Sequence, residues 1–263
     1  MEIKESSMDF SLFKDRVRSN FKLNLNAYKE NQLKRRLDSL MTKQKISSGD
    51  YAGFLKLLLS EQKAYMNFLD TVTINVSEFF RDKAMFDVLE EKILPMLLGK
   101  GTLKVWSAAC SNGAEPYSMA IILNELSPNR RHQIEGTDLD RNILQAAATA
   151  CYNADQVRNV SSARLAKYFR KEGNSYYLSD KIKNMVTLRQ HDLLLDQYGQ
   201  GYDLIACRNV MIYFTRDAQD VLNNKFVKAL RPGGVLFIGA SEMIFNYKEL
   251  GLEKIASCYY LRK

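Results

Sequence analysis

Histidine is scarce in this 263-residue sequence: only His132 and His191 occur, far apart. Neither a histidine metal site nor a Ser/His or Cys/His catalytic pair is supported by that spacing, and no metal is expected. The four cysteines, Cys110, Cys151, Cys207 and Cys258, form no CxxC pair, which fits a reducing compartment and unpaired, mostly buried thiols. No apolar run reaches the ~18 residues of a membrane span, so no insertion into a bilayer is expected. MEIKESSMDF also lacks the basic start and apolar core of a secretory leader, so a cytoplasmic protein is expected. Proline is missing before Pro95.

The proline-free part reads as helical. Phe10, Phe13, Val17 and Phe21 share one face at helical spacing; so do Leu33, Leu37 and Leu40, and then Tyr51, Phe54, Leu55 and Leu58. A compact helical domain over residues 1–85 follows from this, with residues 86–263 forming a second domain. In the intervening TVTINVSEFFRD, Ser77 is expected to cap a helix, with Glu78 in its first turn. Phe86, Leu89, Ile93 and Leu97 make the next apolar stripe, ended by Gly99 and Gly101. From Leu103 onward short apolar runs alternate with helical patterns: LKVWSAA, EPYSMAIILNEL, HQIEGTDLD, RNILQAAATACY, then YDLIACRNVMIYF and GGVLFIGA. That alternation predicts an α/β fold with a doubly wound, Rossmann-like parallel sheet and a ligand site at the carboxyl ends of its strands. GGVLFIGA and SCYYLRK are candidates for an antiparallel edge. RKEGNSYYLSDKIKNMVTL interrupts the alternation and predicts a small β insertion at about 170–188.

The stretch LKVWSAACSNGAEPYS narrows the ligand. A dinucleotide site needs GxGxxG at this turn, and here Gly113 is the only glycine. Glu115 instead falls at the helix start, with Pro116 suited to the first helical position. A carboxylate about 4 Å from a phosphate would be repelled by roughly 4 kcal/mol at an effective dielectric near 20. The turn therefore favours a nucleoside that carries positive charge and no phosphate, and S-adenosylmethionine fits. Asp138 closes the next strand, where ribose hydroxyls are held in this architecture. Plain helix capping is the alternative role for both acids.

TINVSEFFRD, WSAACSNGAEPYS, GTDLD, CRNVMIYF and LRPGGVLFIGASE together resemble the chemotaxis receptor methyltransferases of the CheR family. The resemblance runs from about Tyr28 to the end of the chain. It implies a helical N-terminal domain, a Rossmann-like methyltransferase domain with a small β-subdomain, and methyl transfer from S-adenosylmethionine to receptor glutamates, leaving S-adenosylhomocysteine. Residue by residue it implies donor contacts from Asn75, Ser77 and Arg81, the last toward the methionyl carboxylate. It further implies Glu115, Asp138 for the ribose, Asp192 and Leu193 near the adenine, and Arg208 and Asn209. A surface ion pair with Asp82 or Asp87 is the alternative for Arg81. The sequence departs from the family at Asn112 and Ala114, where Thr and Glu are usual, and at Asp192, where Asn is usual.

A glutamate carboxylate is already ionised at neutral pH, so no general base is expected, and Cys110 and Cys207 read as small core residues. The net charge of +8 points to an acidic partner. Between residues 14 and 45, ten Lys and Arg residues, Lys34, Arg35 and Arg36 among them, face only Asp15, Glu30 and Asp38. A basic helical face suits the glutamate-bearing cytoplasmic helices of a chemoreceptor; a solvated basic surface is the alternative. RKEGNSYYLSDKI is short, with one glycine, and resembles family members that do not need the receptor's C-terminal pentapeptide. Nucleic acid is not the expected partner: CRNVMIYF has no proline where amino-methylating enzymes carry Asp/Asn-Pro-Pro-aromatic. A non-catalytic scaffold binding receptors or adenosyl ligands is the remaining alternative. A monomer is expected.

Overall fold

The computed structural model describes residues 8–263; the reading of the chain start as leader-free falls mainly on the seven residues outside that range. No helix among the described residues is long and apolar enough to cross a membrane. The chain divides into two compact units: one runs to Ile74 and takes in Tyr213–Gln219, and the other comprises Asn75–Ile212 and Asp220–Lys263.

The first unit packs helices α1 (Phe10–Phe21), α2 (Glu30–Lys43), α3 (Tyr51–Ser60) and α4 (Gln62–Thr73). Acids start two of them: Asp9 accepts from the Leu12 N–H at 2.8 Å and Asp50 from the Gly53 N–H at 2.9 Å. The helical periodicity places Phe13, Leu33, Leu37, Phe54 and Phe68 in one fully buried core, where Phe13 lies against Tyr51 (5.4 Å) and Phe54 (5.7 Å). Tyr213–Gln219 is tied to this unit by the Lys29 N–H to the Tyr213 carbonyl (2.9 Å) and the Thr215 N–H to the Ala27 carbonyl (2.8 Å).

Two of the ten basic residues do not belong to a free surface. Lys14 is buried and paired with Glu30 at 2.6 Å. Arg36 donates to the Thr71 and Val72 carbonyls at 3.1 and 3.4 Å, closing the end of α4, and lies over the Tyr213 ring at 5.0 Å. Burial lowers the pKa of its guanidinium. Lys34 and Arg35 are exposed.

The second unit opens with α5 (Lys83–Val88), a π turn at Leu89–Ile93 and α6 (Leu94–Leu98), burying Phe86, Leu89, Ile93 and Leu97 as the stripe predicts. Then follow β1 (Lys104–Ala108), α7 (Ala114–Leu126), β2 (Gln133–Asp138), α8 (Arg141–Thr149), β3 (Cys151–Tyr152), α9 (Ser162–Tyr168), β4 (Phe169–Glu172), β5 (Ser175–Leu178), α10 (Asp180–Lys183), β6 (Val186–Gln190), β7 (Tyr202–Cys207), α11 (Arg216–Ala229), β8 (Leu230–Ile238), β9 (Leu252–Ala256) and β10 (Tyr259–Arg262). Seven strands form one sheet in the order β6-β2-β1-β7-β8-β10-β9. The first five are parallel and β10 runs antiparallel to both β8 and β9. SCYYLRK thus pairs with GGVLFIGA as expected, and LEKIA supplies the outermost strand.

Strand order reverses between β1 and β7, so the loops after these two strands diverge and leave a crevice at their carboxyl ends. Tyr202–Cys207 is buried along its length, as a central parallel strand requires. The link from β6 to β7, residues 191–201, contains no helix. Trp106 fills the uncovered sheet face there, against Tyr198 at 4.8 Å and Tyr202 at 5.3 Å. β3, β5 and β4 make a separate three-stranded antiparallel sheet, ending at Leu178; Gly173 and Asn174 close its β4–β5 hairpin.

Candidate functional site

The loop after β1 is held in an unusual backbone course. Ala109, Ser111 and Gly113 all have positive φ, at 63°, 50° and 82°. For the first two this costs on the order of 1 kcal/mol each, a strain that persists only where surrounding bonds enforce it. They do: the Cys110 N–H donates to the Thr137 carbonyl (2.8 Å), the Ser111 N–H to Asp138 Oδ2 (2.8 Å), and the Tyr152 hydroxyl to the Asn112 carbonyl (2.9 Å). Gly113 caps α7, and a Cβ there would meet the Tyr117 ring at 2.8 Å. Pro116 consequently sits at the third helical position, two later than expected, and Glu115 at the second.

The Glu115 side chain, 12% exposed, is held between the ends of β1 and β7. Its Oε1 accepts from Ser107 Oγ at 2.7 Å and its Oε2 from Arg208 Nη1 at 3.1 Å. Arg208 follows β7, and its other nitrogen donates to Asp82 Oδ2 at 2.8 Å and to the Arg81 carbonyl at 3.0 Å. The Arg208 side chain is only 2% exposed and lies between the rings of Phe237 (4.5 Å) and Phe86 (5.3 Å). It therefore acts from behind, aligning Glu115 and Asp82. Asn209 has φ 60° and gives its N–H to Glu242 Oε2 at 3.1 Å.

Asp138 ends β2 and accepts one backbone N–H on each oxygen, from Ser111 (2.8 Å) and Asp140 (3.1 Å). Helix capping is done by Asp140 instead, whose Oδ1 takes the Asn142 N–H at 2.8 Å. Burial pushes the Asp138 carboxyl up to about 6, against the opposing pull of those N–H bonds. Asn75 reaches the same corner, donating from Nδ2 to Asp140 Oδ2 at 2.8 Å.

Ser77 does not cap a helix. The segment 75–82 is a turn whose helix begins only after Asp82, and both Phe80 and Asp82 have positive φ. Two aromatic anchors explain it. Phe79 is buried against Tyr152 (4.7 Å) and Phe169 (5.1 Å), and the Phe80 N–H donates to Ser118 Oγ at 3.0 Å. The Ser77 carbonyl accepts from Asn112 Nδ2 at 3.1 Å, which joins this turn to the β1 loop. Arg81 pairs with neither Asp82 nor Asp87; its Nη1 donates to the Val76 carbonyl at 3.1 Å, while Asp87 takes Lys83. Beyond β6, the His191 N–H donates to the Asp138 carbonyl at 2.9 Å. Asp192 Oδ1 then holds the Leu194 and Leu195 N–H groups at 2.7 and 3.2 Å, and Leu193 is buried.

The structure thus gathers Ser77, Arg81, Glu115, Arg208 and Asn209 around the ends of β1 and β7, and Asn75, Asp138, Asp192 and Leu193 around the end of β2. Glu242 is a loop-fixing residue that residue-by-residue reading missed, although LRPGGVLFIGASE contains it. Its half-buried carboxylate collects the N–H groups of Gly239 (2.6 Å), Asn209 (3.1 Å) and Met211 (2.8 Å), fixing the loop after β7. A Cβ on Gly239 would meet Glu242 Oε2 at 2.7 Å and the Asn209 nitrogen at 2.9 Å.

Three carboxyl groups, Glu115, Asp82 and Asp138, thus share the crevice with one buried cation, Arg208, in a chain whose net charge is +8. Residues 75–258 match the CheR methyltransferase SAM-binding domain and residues 8–73 the CheR all-alpha domain. The chain belongs to the CheR methyltransferase family. It is 40% identical to a chemotaxis protein methyltransferase of Listeria innocua, with 99% of each chain covered. It is 32% identical to chemotaxis protein methyltransferase 1 of Pseudomonas aeruginosa, over 92% of each chain, and 32% identical to the Escherichia coli chemotaxis protein methyltransferase, over 81% of this chain and 74% of that one.

The CheR-family donor, S-adenosylmethionine, fits the residues present. Ser111 Oγ is buried without a hydrogen-bond partner beside Asp138, whose two oxygens each retain accepting capacity, as a ribose diol requires. At the other end, excess negative charge suits an ammonium and a sulfonium. Cys110 and Cys207 are fully enclosed and burial drives both thiols well above their ordinary pKa, so they remain neutral. His132 is committed to the Leu103 N–H (3.0 Å) and to Ser127 Oγ (2.8 Å).

Proposed function

We propose that this protein transfers the methyl group of S-adenosylmethionine to glutamate side chains on the cytoplasmic helical region of chemoreceptors, forming glutamate methyl esters. The observation that carries the reading is the acid-rich crevice at the strand reversal, with Glu115 at one end and Asp138 at the other. It attracts a cationic nucleoside and repels a pyrophosphate. Bound there, S-adenosylmethionine supplies a methyl group on a positively charged sulfur.

The protein's residues do the rest by placement. Asp138 and Ser111 hold the ribose, Leu193 and Asp192 flank the adenine, and Glu115 faces the amino group of the methionyl end. Arg81, partly exposed at the rim, is the partner for the methionyl carboxylate. Asn75, Ser77, Arg208 and Asn209 fix the surrounding loops through the bonds described above. An acceptor glutamate needs no proton removed, since its pKa lies near 4.3. The committed His132 and the protonated thiols of Cys110 and Cys207 are in keeping with such chemistry. Catalysis then rests on holding the carboxylate in line and shedding its water.

The exposed basic residues of α2, Lys34 and Arg35, steer the acidic receptor helix. The two-residue turn of the β4–β5 hairpin supports independence from a receptor pentapeptide, since it offers no extra loop for one. A methyl-labelled donor incubated with a receptor cytoplasmic fragment tests the reading. Label released as methanol by mild alkali is expected; alkali-stable label would indicate amine methylation and overturn it.

A further inference from the structure

Residues 191–201 border the nucleoside end of the site, yet no helix shapes them. What holds them comes from another element. Lys225, on α11, donates to three backbone carbonyls of this loop: Leu193, Leu194 and Asp196, each at 3.0 Å. An ammonium has three N–H donors, so its capacity is used in full on one stretch of backbone. The same group lies over the Tyr198 ring at 4.7 Å, and the Tyr198 hydroxyl donates to the Leu193 carbonyl at 2.8 Å.

The loop concentrates negative charge that needs a counterion. Asp192 and Asp196 interlock, the Asp192 N–H donating to Asp196 Oδ2 and the Asp196 N–H to the Asp192 carbonyl, both at 2.9 Å. Lys225 is the cation drawn to both carboxylates, while its own burial lowers its pKa.

We infer that Lys225 is a positioning residue for donor binding: by tying Leu193, Leu194 and Asp196 to α11 it sets the backbone that presents Asp192 and Leu193 to the adenine. This rests on the donor-site reading given above. Lys225 itself touches neither reactant, and its effect passes through the loop.

The test compares wild type, Lys225→Met and Lys225→Arg by calorimetry with S-adenosylhomocysteine and by kinetics on a receptor fragment. Lys225→Met is expected to weaken S-adenosylhomocysteine about tenfold and to raise KM for the donor, leaving KM for the receptor fragment unchanged. Lys225→Arg, which can still donate to several carbonyls, is expected to restore affinity to within about threefold. Trp106 is the single tryptophan and packs on Tyr198, so its emission should shift in Lys225→Met and return in Lys225→Arg. Wild-type affinity in folded Lys225→Met overturns the inference. If Lys225→Met does not fold, Lys225→Gln takes its place, and wild-type affinity there overturns it equally. Failure of the wild type to bind S-adenosylhomocysteine would instead overturn the donor-site reading, and this inference with it.

Discussion

Donor affinity should depend on pH through Asp138. Burial raises its carboxyl from an ordinary 3.8 to about 6, so the folded protein binds this proton more tightly than the unfolded chain does. The sign for stability follows: the contribution is fully present below pH 3.8 and is lost as pH rises through about 6. At neutral pH the ionised carboxylate therefore costs the fold on the order of 3 kcal/mol, from about two pKa units at 1.36 kcal/mol each. In the ribose assignment proposed above, the ionised form is the one that accepts hydrogen bonds from both hydroxyls. At pH 7 about nine-tenths of the free protein carries the charge, and at pH 5 about one-tenth. If the charged form binds and the neutral form does not, the dissociation constant for S-adenosylhomocysteine should rise about tenfold between pH 7 and pH 5. Calorimetry across that range measures it, with melting temperature recorded to show that the fold persists. Asp138→Asn should bind more weakly at pH 7, by about tenfold for one charge-assisted hydrogen bond lost, and its profile should be flat. A wild-type affinity independent of pH, or an Asp138→Asn profile as steep as the wild type's, would refute the assignment of the ribose to this carboxylate.

Arg208→Met leaves Glu115 and Asp82 facing each other without their shared cation, and should destabilise the fold by about 3–5 kcal/mol in denaturant titration while weakening donor binding; an unchanged midpoint would contradict the role given to Arg208. Reversal of Lys34 and Arg35 to Glu should raise KM for a receptor fragment with donor affinity unchanged, and equal KM at low and high salt in the wild type would count against electrostatic steering. Arg36→Met should differ in kind, lowering stability by about 1–3 kcal/mol through loss of its bonds to the end of α4, measurable as a lower melting temperature. Gly239→Ala should cost about 1–3 kcal/mol, because the added Cβ has Glu242 and the Asn209 backbone within 3 Å; a melting temperature equal to wild type would show that the loop can shift freely.

The parallel sheet could be read from the sequence because burial on both faces leaves continuous apolar runs such as YDLIAC, and the helices because Phe13, Leu33 and Phe54 recur at helical spacing. Glu115 was readable as an acid at a helix start and Asp138 as an acid closing a strand, both local patterns. Less legible were features set by tertiary bonds. Ala109 and Ser111 adopt positive φ without glycine, a course imposed by Asp138 and Thr137 from the neighbouring strand. Ser77 has the chemistry of a cap, but Phe79 and Phe80 pull the segment into the core and delay the helix to Lys83. Arg36 belongs to a basic run yet spends its donors on the carbonyls of Thr71 and Val72, about 35 residues away in sequence, a pairing no local pattern announces. Glu242 was hidden in plain view within a recognisable motif, because what it does is collect backbone N–H groups from a loop 31 to 33 residues earlier.

A crystal structure with S-adenosylhomocysteine bound tests the central claim most directly. The ribose hydroxyls should lie within hydrogen-bond distance of Asp138, the amino group should approach Glu115, and the adenine should rest beside Leu193. A ligand bound with Glu115 and Asp138 both turned away from it, or seated elsewhere on the sheet, would contradict the account.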